Sequence, residues 1–282
     1  MMVQSTQFAQ SAQGGFIAGT LVHTREGLKP IEQIKVGDWV LSRPDNPEQG
    51  TETGYKRVTK TLSFEDKEVI KFWFAPNRDV ECQTERVYAT PNHPVWLNPH
   101  GWVAMGRLYD PDKKRLGSFD WDMDGKELVL ADGGTGAMLD VDDLYRTDNP
   151  AIAFAEEDDW GFGCLVDFSG ETPVFGDDLP YDYDKWGDPV DETRVRYIMV
   201  VMKDGTLEMH ADPVRTRERY TTTVYNLEVE DWHTYFVGKM GLWVHNTNCL
   251  EATLEVALGR GDVKQLLTGA LKTMKSDHGF EP

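Results

Sequence analysis

The sequence predicts an all-β fold for most of its 282 residues. From Phe16 onward, short runs rich in β-branched and aromatic residues alternate with turn residues, which is the pattern of antiparallel strands. Prolines on both sides of His93 predict an irregular segment there, because proline cannot continue a ladder of hydrogen bonds. The predicted strands are 36–41, 57–63, 69–74, 85–89, 95–97, 195–202, 206–210, 221–229, 234–237 and 242–245.

The two ends of the chain differ from this β region. Residues 1–14 are small and polar and are predicted to be a flexible flank. After Asn246 leucines recur at helical spacing, so residues 247–282 are predicted to be a helical segment. Within the β region, Glu65-Asp66 predicts a hairpin between two strands, and Lys203-Asp204-Gly205 predicts a second turn.

Negative charge is concentrated in one part of the chain. The formal net charge is −19, and residues 107–193 hold 19 Asp and 5 Glu against 7 Lys and Arg. We interpret this segment as an acidic insertion within a domain that spans residues 15–246. Nucleic acids and anionic membranes bind basic surfaces, so neither is expected as a partner. Asp120–Gly125 imitates the start of a calcium loop, but Ala131 replaces its bidentate Glu, which favours a solvated turn.

The sequence shows no sign of secretion by a cleaved leader or of membrane insertion. Its three cysteines, Cys82, Cys164 and Cys249, are odd in number and far apart, so neither a disulfide framework nor a metal site is predicted. The N-terminus lacks the basic and apolar regions of a signal peptide, and no run approaches the roughly 20 apolar residues of a membrane span. We expect synthesis in the cytoplasm, with any export occurring as part of a larger effector.

The last predicted strand ends in two residues that are able to cut the backbone. The carboxamide nitrogen of Asn246 can attack the carbonyl carbon of the same residue, closing a succinimide and expelling the amine of Thr247. The reaction is intramolecular, and correct placement of reactants contributes about 7–11 kcal/mol in the best cases. His245 can polarise the carbonyl or protonate the leaving amine. Taken alone, Asn246 is equally compatible with a surface turn.

Three further motifs precede this pair in a fixed order. They are Gly15-Phe16-Ile17-Ala18-Gly19-Thr20, Thr90-x-x-His93, and the stretch from Tyr225–Val229 to His233–Val237. With Val244-His245-Asn246, the ordered set resembles the Hint superfamily of self-processing domains, which includes inteins and hedgehog C-terminal domains. The sequence of the N-terminal strands looks most like that of the pretoxin Hint domains of bacterial polymorphic toxin systems. The resemblance covers residues 15–106 and 194–246.

The resemblance implies a horseshoe-shaped all-β fold whose ends bring Gly15 and Asn246 into one cleft. It also implies that Thr90 and His93 bind and strain the peptide bond before residue 15. In that role His93 protonates the departing nitrogen, and Thr90 forms a hydrogen bond with the strained peptide.

At the C-terminal end, the resemblance implies that Asn246 cyclises with the assistance of His245. Thr247 then becomes the new N-terminus. His233 matches a position that helps one or other step in relatives, although packing beside Trp232 is the alternative.

Gly15 departs from the family pattern, which places a nucleophilic Cys at this position. A glycine has no side chain, so the N-terminal acyl shift cannot occur there. Either the nucleophile was removed to trap the precursor, or the domain cleaves only at its C-terminus. Thr247 or Cys249 could serve as a replacement nucleophile. However, a threonine hydroxyl is weak unless activated, and Cys249 lies two residues too far along.

Two functional hypotheses follow from these residues. The first is a single-turnover self-processing domain, monomeric and without cofactor or metal, whose substrate is its own flanking sequence. It would release residues 247–282, which are either the start of a longer toxin or effector or a helix that docks on the β domain. The second is a catalytically dead Hint scaffold, acting as a spacer or as a binding module whose acidic insertion meets a basic partner.

Overall fold

The described part of the chain folds almost entirely into strands. The computed structural model describes residues 14–77, 83–108, 127–147, 149–156, 163–175, 197–201, 207–211 and 218–246. The strands there are β1 Phe16–Ile17, β2 Leu21–Thr24, β3 Gly27–Pro30, β4 Trp39–Ser42, β5 Gly54–Glu68, β6 Ile70–Pro76, β7 Glu85–Ala89, β8 Pro94–Asn98, β9 Gly101–Ala104, β10 Glu127–Val129, β11 Thr135–Arg146, β12 Ile152–Glu156, β13 Gly163–Asp167, β14 Val174–Phe175, β15 Tyr197–Val201, β16 Leu207–Ala211, β17 Thr221–Val229, β18 Thr234–Val237 and β19 Leu242–His245. Short 3-10 helices lie at Ile31–Gln33, Pro47–Gln49 and Met105–Leu108. The prediction of an all-β fold is confirmed.

Strands from both ends of the chain form the central sheet. β1 pairs with β7 and β17, and β2 pairs with β18. β18 then pairs with β19, which also pairs with β8. This closure brings the start of β1, the loop before β8 and the end of β19 to one side of the sheet.

One main apolar core lies beneath these strands. Phe16 of β1, Phe72 and Phe74 of β6, and Tyr235 of β18 are all fully buried in it. β6 is buried on both faces, so its sequence, apart from Lys71, is hydrophobic throughout rather than alternating between apolar and polar residues. A second cluster of buried residues includes Leu144 and Val166 and extends the core towards β12 and β13.

Two strands of the acidic segment enter the main core. β10 pairs with β8, and β11 pairs with β6 along most of its length. Leu128 and Val141 of these strands lie in the main apolar cluster. A buried ion pair joins β6 to β11, since Lys71 Nζ lies 2.7 Å from Asp142 Oδ2 and both side chains have no solvent exposure.

Two local predictions are wrong. The predicted hairpin at Glu65-Asp66 does not form, because β5 continues through these residues and pairs with β17 and β4 rather than with β6. Asp66 absorbs the irregularity with a positive φ of 52°. The strand predicted from Val36 begins at Trp39, because Gly37 adopts a φ of 96° in a preceding turn.

Several predictions concern residues outside the described ranges. They are most of the N-terminal flank, the helical segment 247–282 with Thr247 and Cys249, the calcium-like run at Asp120, the turn at Lys203–Gly205, and Cys82. Among the described residues, no helix is both long and apolar enough to cross a membrane.

Candidate active site

Gly15 and Thr90 hold each other through two hydrogen bonds. The Gly15 amide donates to Thr90 Oγ1 at 3.1 Å, and the Thr90 amide donates to the Gly15 carbonyl at 2.9 Å. This exchange continues the antiparallel register of Phe16 opposite Ala89 by one residue. The Thr90 side chain is thereby fixed on the nitrogen of the Gly14–Gly15 peptide bond.

Asn226 holds the other side of that peptide bond. Its Nδ2 donates to the Gly14 carbonyl at 2.9 Å, across 212 residues of sequence. Its Oδ1 accepts from the Tyr235 hydroxyl at 2.7 Å and from the Leu227 amide at 2.8 Å, which fixes the orientation of the carboxamide. The Gly14–Gly15 bond therefore has a hydrogen-bond donor on its carbonyl and an acceptor on its amide, which fixes the position of this peptide bond.

The position of the family nucleophile is closed by backbone. A Cβ added to Gly15 would lie 2.6 Å from the Tyr225 carbonyl oxygen and 3.1 Å from Val224 Cγ2. The first atom belongs to the paired strand β17 and cannot rotate away. A side chain at Gly15 therefore requires a shift of β1 relative to β17.

His93 lies in the site with its ring fully buried. The imidazole is fully buried, and neither ring nitrogen is paired within the part of the chain that is described. Its ring packs edge-on against Phe16, with 4.3 Å between centroids. Burial, together with the charge of His245, lowers the pKa of His93 to about 3, so the ring is neutral near neutral pH.

Asn246 follows β19 and lies beside both neighbouring strands. Its amide donates to the His233 carbonyl at 2.8 Å, continuing the pairing of Thr234 with His245. On the other side Val244 pairs with Val95, and extending this antiparallel register by two residues brings His93 opposite Asn246. The Asn246 side chain is almost fully buried, and its Nδ2 has no hydrogen-bond partner among the residues described.

His245 contacts the carbonyl that the predicted reaction would attack. Its Nδ1 lies 2.5 Å from the Asn246 carbonyl oxygen, and its Nε2 lies 3.8 Å from Asp45 Oδ2. The ring packs edge-on against Trp102, with 5.0 Å between centroids. The interaction with His245 lowers the pKa of Asp45, and burial opposes this shift.

His233 contributes to the site through its backbone. It adopts a positive φ of 53° at the start of β18, and its carbonyl anchors the Asn246 amide. The charge of His233 also contributes to the lowered pKa of Asp45. The described residues contain no group of three or more His, Cys, Asp or Glu side chains able to hold a metal ion.

The structure thus brings Gly15, Thr90, His93, His245 and Asn246 to one region, with the His233 backbone beside them. The sequence reasoning did not assign Asp45, Asn226, Tyr235 or Trp102 to the site. Asn226 carries a weak signal, because it is a polar residue between Val224-Tyr225 and Leu227 in the predicted strand. Asp45 gives none, since it stands in a loop remote in sequence from the residue it contacts.

An all-β domain whose chain ends meet beside a Thr-x-x-His loop and a terminal His-Asn pair has the arrangement of a Hint-type fold. Residues 21–132 match the family described as the Pretoxin HINT domain. The resemblance to Hint domains of the pretoxin type is confirmed by this match. None of the curated proteins matches the chain.

Solved structures of inteins and an intein-like domain are similar to this chain at low sequence identity. The bacterial intein-like domain from Clostridium thermocellum is 21% identical, with a TM-score of 0.43 and coverage of 82% of this chain and 98% of that one. The gp41-1 intein is 12% identical, with a TM-score of 0.39 and coverage of 83% and 99%. A DnaB intein from Synechocystis sp. PCC 6803 is 10% identical, with a TM-score of 0.38 and coverage of 83% and 98%.

Proposed function

We propose that this protein cleaves its own backbone after Asn246 by asparagine cyclisation. The observation that carries the proposal is the set of unpaired buried atoms beside a polarised carbonyl. Asn246 Nδ2 and both ring nitrogens of His93 have no hydrogen-bond partner among the residues that the structure describes, whereas the Asn246 carbonyl oxygen is contacted by His245 Nδ1 at 2.5 Å. Buried polar groups are normally paired, so unpaired ones at a convergence of strands support a chemical role.

The reaction balances within the chain. Asn246 Nδ2 forms a bond to the carbonyl carbon of Asn246, and the negative charge that develops on the carbonyl oxygen is stabilised by the His245 Nδ1 proton. The bond from that carbon to the nitrogen of Thr247 then breaks. The proton lost by Nδ2 is balanced by the proton gained by the leaving amine, which leaves a C-terminal succinimide and a free N-terminus.

His93 takes a different role here from the one that the resemblance implies. Protonation of a departing nitrogen requires a charged ring, whereas the pKa of His93 is lowered to about 3 by burial. A neutral imidazole offers one lone pair as a hydrogen-bond acceptor, but with a pKa near 3 it is a weak base. We therefore assign His93 as the hydrogen-bond acceptor that orients the Asn246 carboxamide, a role supported by its position opposite Asn246 when the β8–β19 register is extended.

The N-terminal half of the site would bind a peptide bond without cutting it. Thr90 and Asn226 hold the Gly14–Gly15 bond from both sides, but Gly15 supplies no nucleophile and its Cβ position is occupied. The substrate is then the chain itself at the Asn246–Thr247 bond. Residues 247–282, together with any effector that follows, leave as one product, in a single turnover and without a cofactor.

Intact mass spectrometry tests the proposal directly. The wild-type chain, purified in urea and refolded by dilution, should lose the mass of residues 247–282, and the larger product should carry the mass of a succinimide or its hydrolysis product. An Asn246→Ala chain should stay whole. Asn248→Ala is the matched control, since it removes a nearby asparagine and should cleave as the wild type does.

The closed nucleophile position at Gly15 favours a second candidate, a Hint scaffold that has lost all cleavage. In this second candidate function the domain acts by binding and does not cleave its backbone. A folded wild-type chain that remains whole from pH 5 to pH 9, as the Asn246→Ala chain does, would establish the scaffold and defeat asparagine cyclisation.

A further inference from the structure

Asp45 lies in a loop that is tied firmly to the strands of the candidate site. The loop follows β4, and Trp102 Nε1 donates to the Asp45 carbonyl at 3.0 Å. Just before it, the Arg43 amide donates to Thr234 Oγ1 at 3.2 Å. The Thr234 hydroxyl also contacts Ser42 Oγ at 3.0 Å. These contacts fix the backbone around Asp45 relative to β18 and β19.

The two ring nitrogens of His245 face two groups that can only accept a proton. Nδ1 faces the Asn246 carbonyl oxygen at 2.5 Å, and Nε2 faces the Asp45 carboxylate at 3.8 Å. A neutral imidazole has one N–H and one lone pair, so in either tautomer one nitrogen would present its lone pair to an oxygen. A doubly protonated ring makes both contacts favourable.

We propose that Asp45 is a positioning residue that holds His245 in its doubly protonated form, so that Nδ1 presents a proton to the Asn246 carbonyl. The proposal rests on the proposed function, because it concerns the group that would polarise the attacked carbonyl. It adds a carboxylate to the site at a sequence position far from the recognised motifs.

The charges around His245 agree with this assignment. The titratable groups that interact with it or with Asp45 are His93 and His233, and the Arg43 guanidinium lies over the Trp243 ring at 4.8 Å. The pKa of Asp45 is lowered by its interaction with His245, against the effect of burial, so its carboxylate is ionised at neutral pH. His93 is neutral at that pH. Among these side chains, Asp45 is the one that carries a negative charge.

The consequence for cleavage is a specific pH dependence. A cationic His245 stabilises the oxyanion that forms on the Asn246 carbonyl and can release a proton towards the leaving amine. Cleavage should therefore be slower at alkaline pH. The Asp45 carboxylate favours the doubly protonated ring, so loss of its charge should make this slowing larger.

Cleavage rates from pH 5 to pH 9 test the role of Asp45, starting from denatured chain refolded by dilution. In Asp45→Asn cleavage at the alkaline end of this range should be roughly 10-fold slower than in the wild type, whereas rates at pH 5 stay close to wild type. Asp45→Glu should restore part of the lost rate. The matched control is Glu52→Gln, which removes an exposed carboxylate seven residues further on and should leave the profile unchanged.

A second measurement does not depend on cleavage. In an Asn246→Ala background the chain stays whole, and the His245 ring can be titrated by histidine NMR with and without Asp45→Asn. We expect the loss of the ring proton to shift to lower pH in the double variant and not in the Glu52→Gln counterpart. An unchanged titration, or a cleavage rate that drops equally at every pH, would overturn the role of Asp45. A wild-type chain that never cleaves, with the NMR shift present, would instead overturn the proposed function alone.

Discussion

His93 is fully buried, and neither ring nitrogen has a hydrogen-bond partner in the described part of the chain, which affects stability as well as chemistry. Desolvation of the charged ring, with a smaller effect of His245, lowers its pKa from 6.5 to about 3. Below pH 6.5 His93 is therefore protonated in the unfolded chain, whereas in the folded chain it stays neutral until the pH approaches 3. The stability associated with neutral His93 is fully present above pH 6.5 and is lost as the pH falls towards 3.

Replacing His93 should make the fold less sensitive to acid. Between pH 7 and pH 5.5, the wild-type free energy of unfolding should fall by about 1.3 kcal/mol more than that of His93→Gln, which cannot take up the proton. Urea unfolding at both pH values, carried out in the Asn246→Ala background to keep the chain whole, measures this difference. Equal losses in the two proteins would show that the ring is not kept neutral by burial.

Gly15 is constrained by its neighbours rather than by its own φ angle. Because a Cβ there would lie 2.6 Å from the Tyr225 carbonyl oxygen, Gly15→Ala and Gly15→Cys should each destabilise the fold by about 1–3 kcal/mol. Gly15→Cys should also fail to give thiol-dependent cleavage at the Gly14–Gly15 bond. Urea unfolding and intact mass after dithiothreitol treatment check both expectations.

Gly170→Ala is the control for that experiment, since an added Cβ there would meet only ordinary contacts of 3.5 Å or more. It should change the free energy of unfolding by much less than Gly15→Ala. A Gly15→Cys chain that is as stable as the wild type and cleaves with dithiothreitol would mean that β1 moves readily to admit the side chain.

At the scale of single elements, the clearest departure from sequence expectation is the contribution of the acidic segment to the core. β11 pairs with β6 and is fastened to it by the buried Lys71–Asp142 ion pair. Removing one partner of a buried pair leaves an uncompensated charge, so Asp142→Ala should cost about 3–5 kcal/mol. The double change Lys71→Met with Asp142→Leu should recover most of that loss, because no charge is left in the core.

Chemical denaturation of the single and double variants in the Asn246→Ala background measures this effect. Asp231→Asn provides the comparison, because it weakens an ion pair with Lys56 whose Asp side chain is two-thirds exposed and should cost no more than about 1 kcal/mol. Similar losses for Asp142→Ala and Asp231→Asn would show that β11 does not contribute to the stability of the core.

The sequence predicts strands well where their local pattern and their partners agree. The predicted bounds of 85–89, 221–229, 234–237 and 242–245 coincide with β7, β17, β18 and β19. The hairpin at Glu65-Asp66 fails because the partner of β5 is β17, more than 150 residues away. No local pattern carries that information. A continuous strand therefore runs through residues whose local pattern predicts a turn.

The same reasoning explains what could be predicted of the site. The family motifs identify Thr90, His93, His245 and Asn246, and the fold brings them together. Asp45 and Asn226 act through contacts with residues that are about 200 positions away in the sequence. Their part in the site depends on the closure of the whole sheet, so it becomes visible only in three dimensions.

At the scale of the whole molecule, the candidate site exists only when the two chain ends have met. Phe16 of β1 pairs with Tyr225, and the Gly14 carbonyl is held by Asn226. His93 reaches Asn246 only through the pairing of β8 with β19. These long-range contacts form late and together, because the entropy of closing such loops must be overcome first.

Cleavage should therefore depend on the folded state and not on the His245-Asn246 dipeptide alone. Chain purified in strong urea should be whole, and after dilution to a series of urea concentrations its cleavage rate should fall in parallel with the folded fraction reported by tryptophan fluorescence. The reason is that unfolding separates His93 and Asp45 from Asn246 and returns the reaction to the slow rate of an unassisted asparagine. Val22→Ala, which creates a cavity at a fully buried core position outside the site, should shift the unfolding and cleavage curves to lower urea by the same amount. Cleavage that continues undiminished in fully unfolded chain would show that the local sequence is sufficient and that the fold contributes nothing to the reaction.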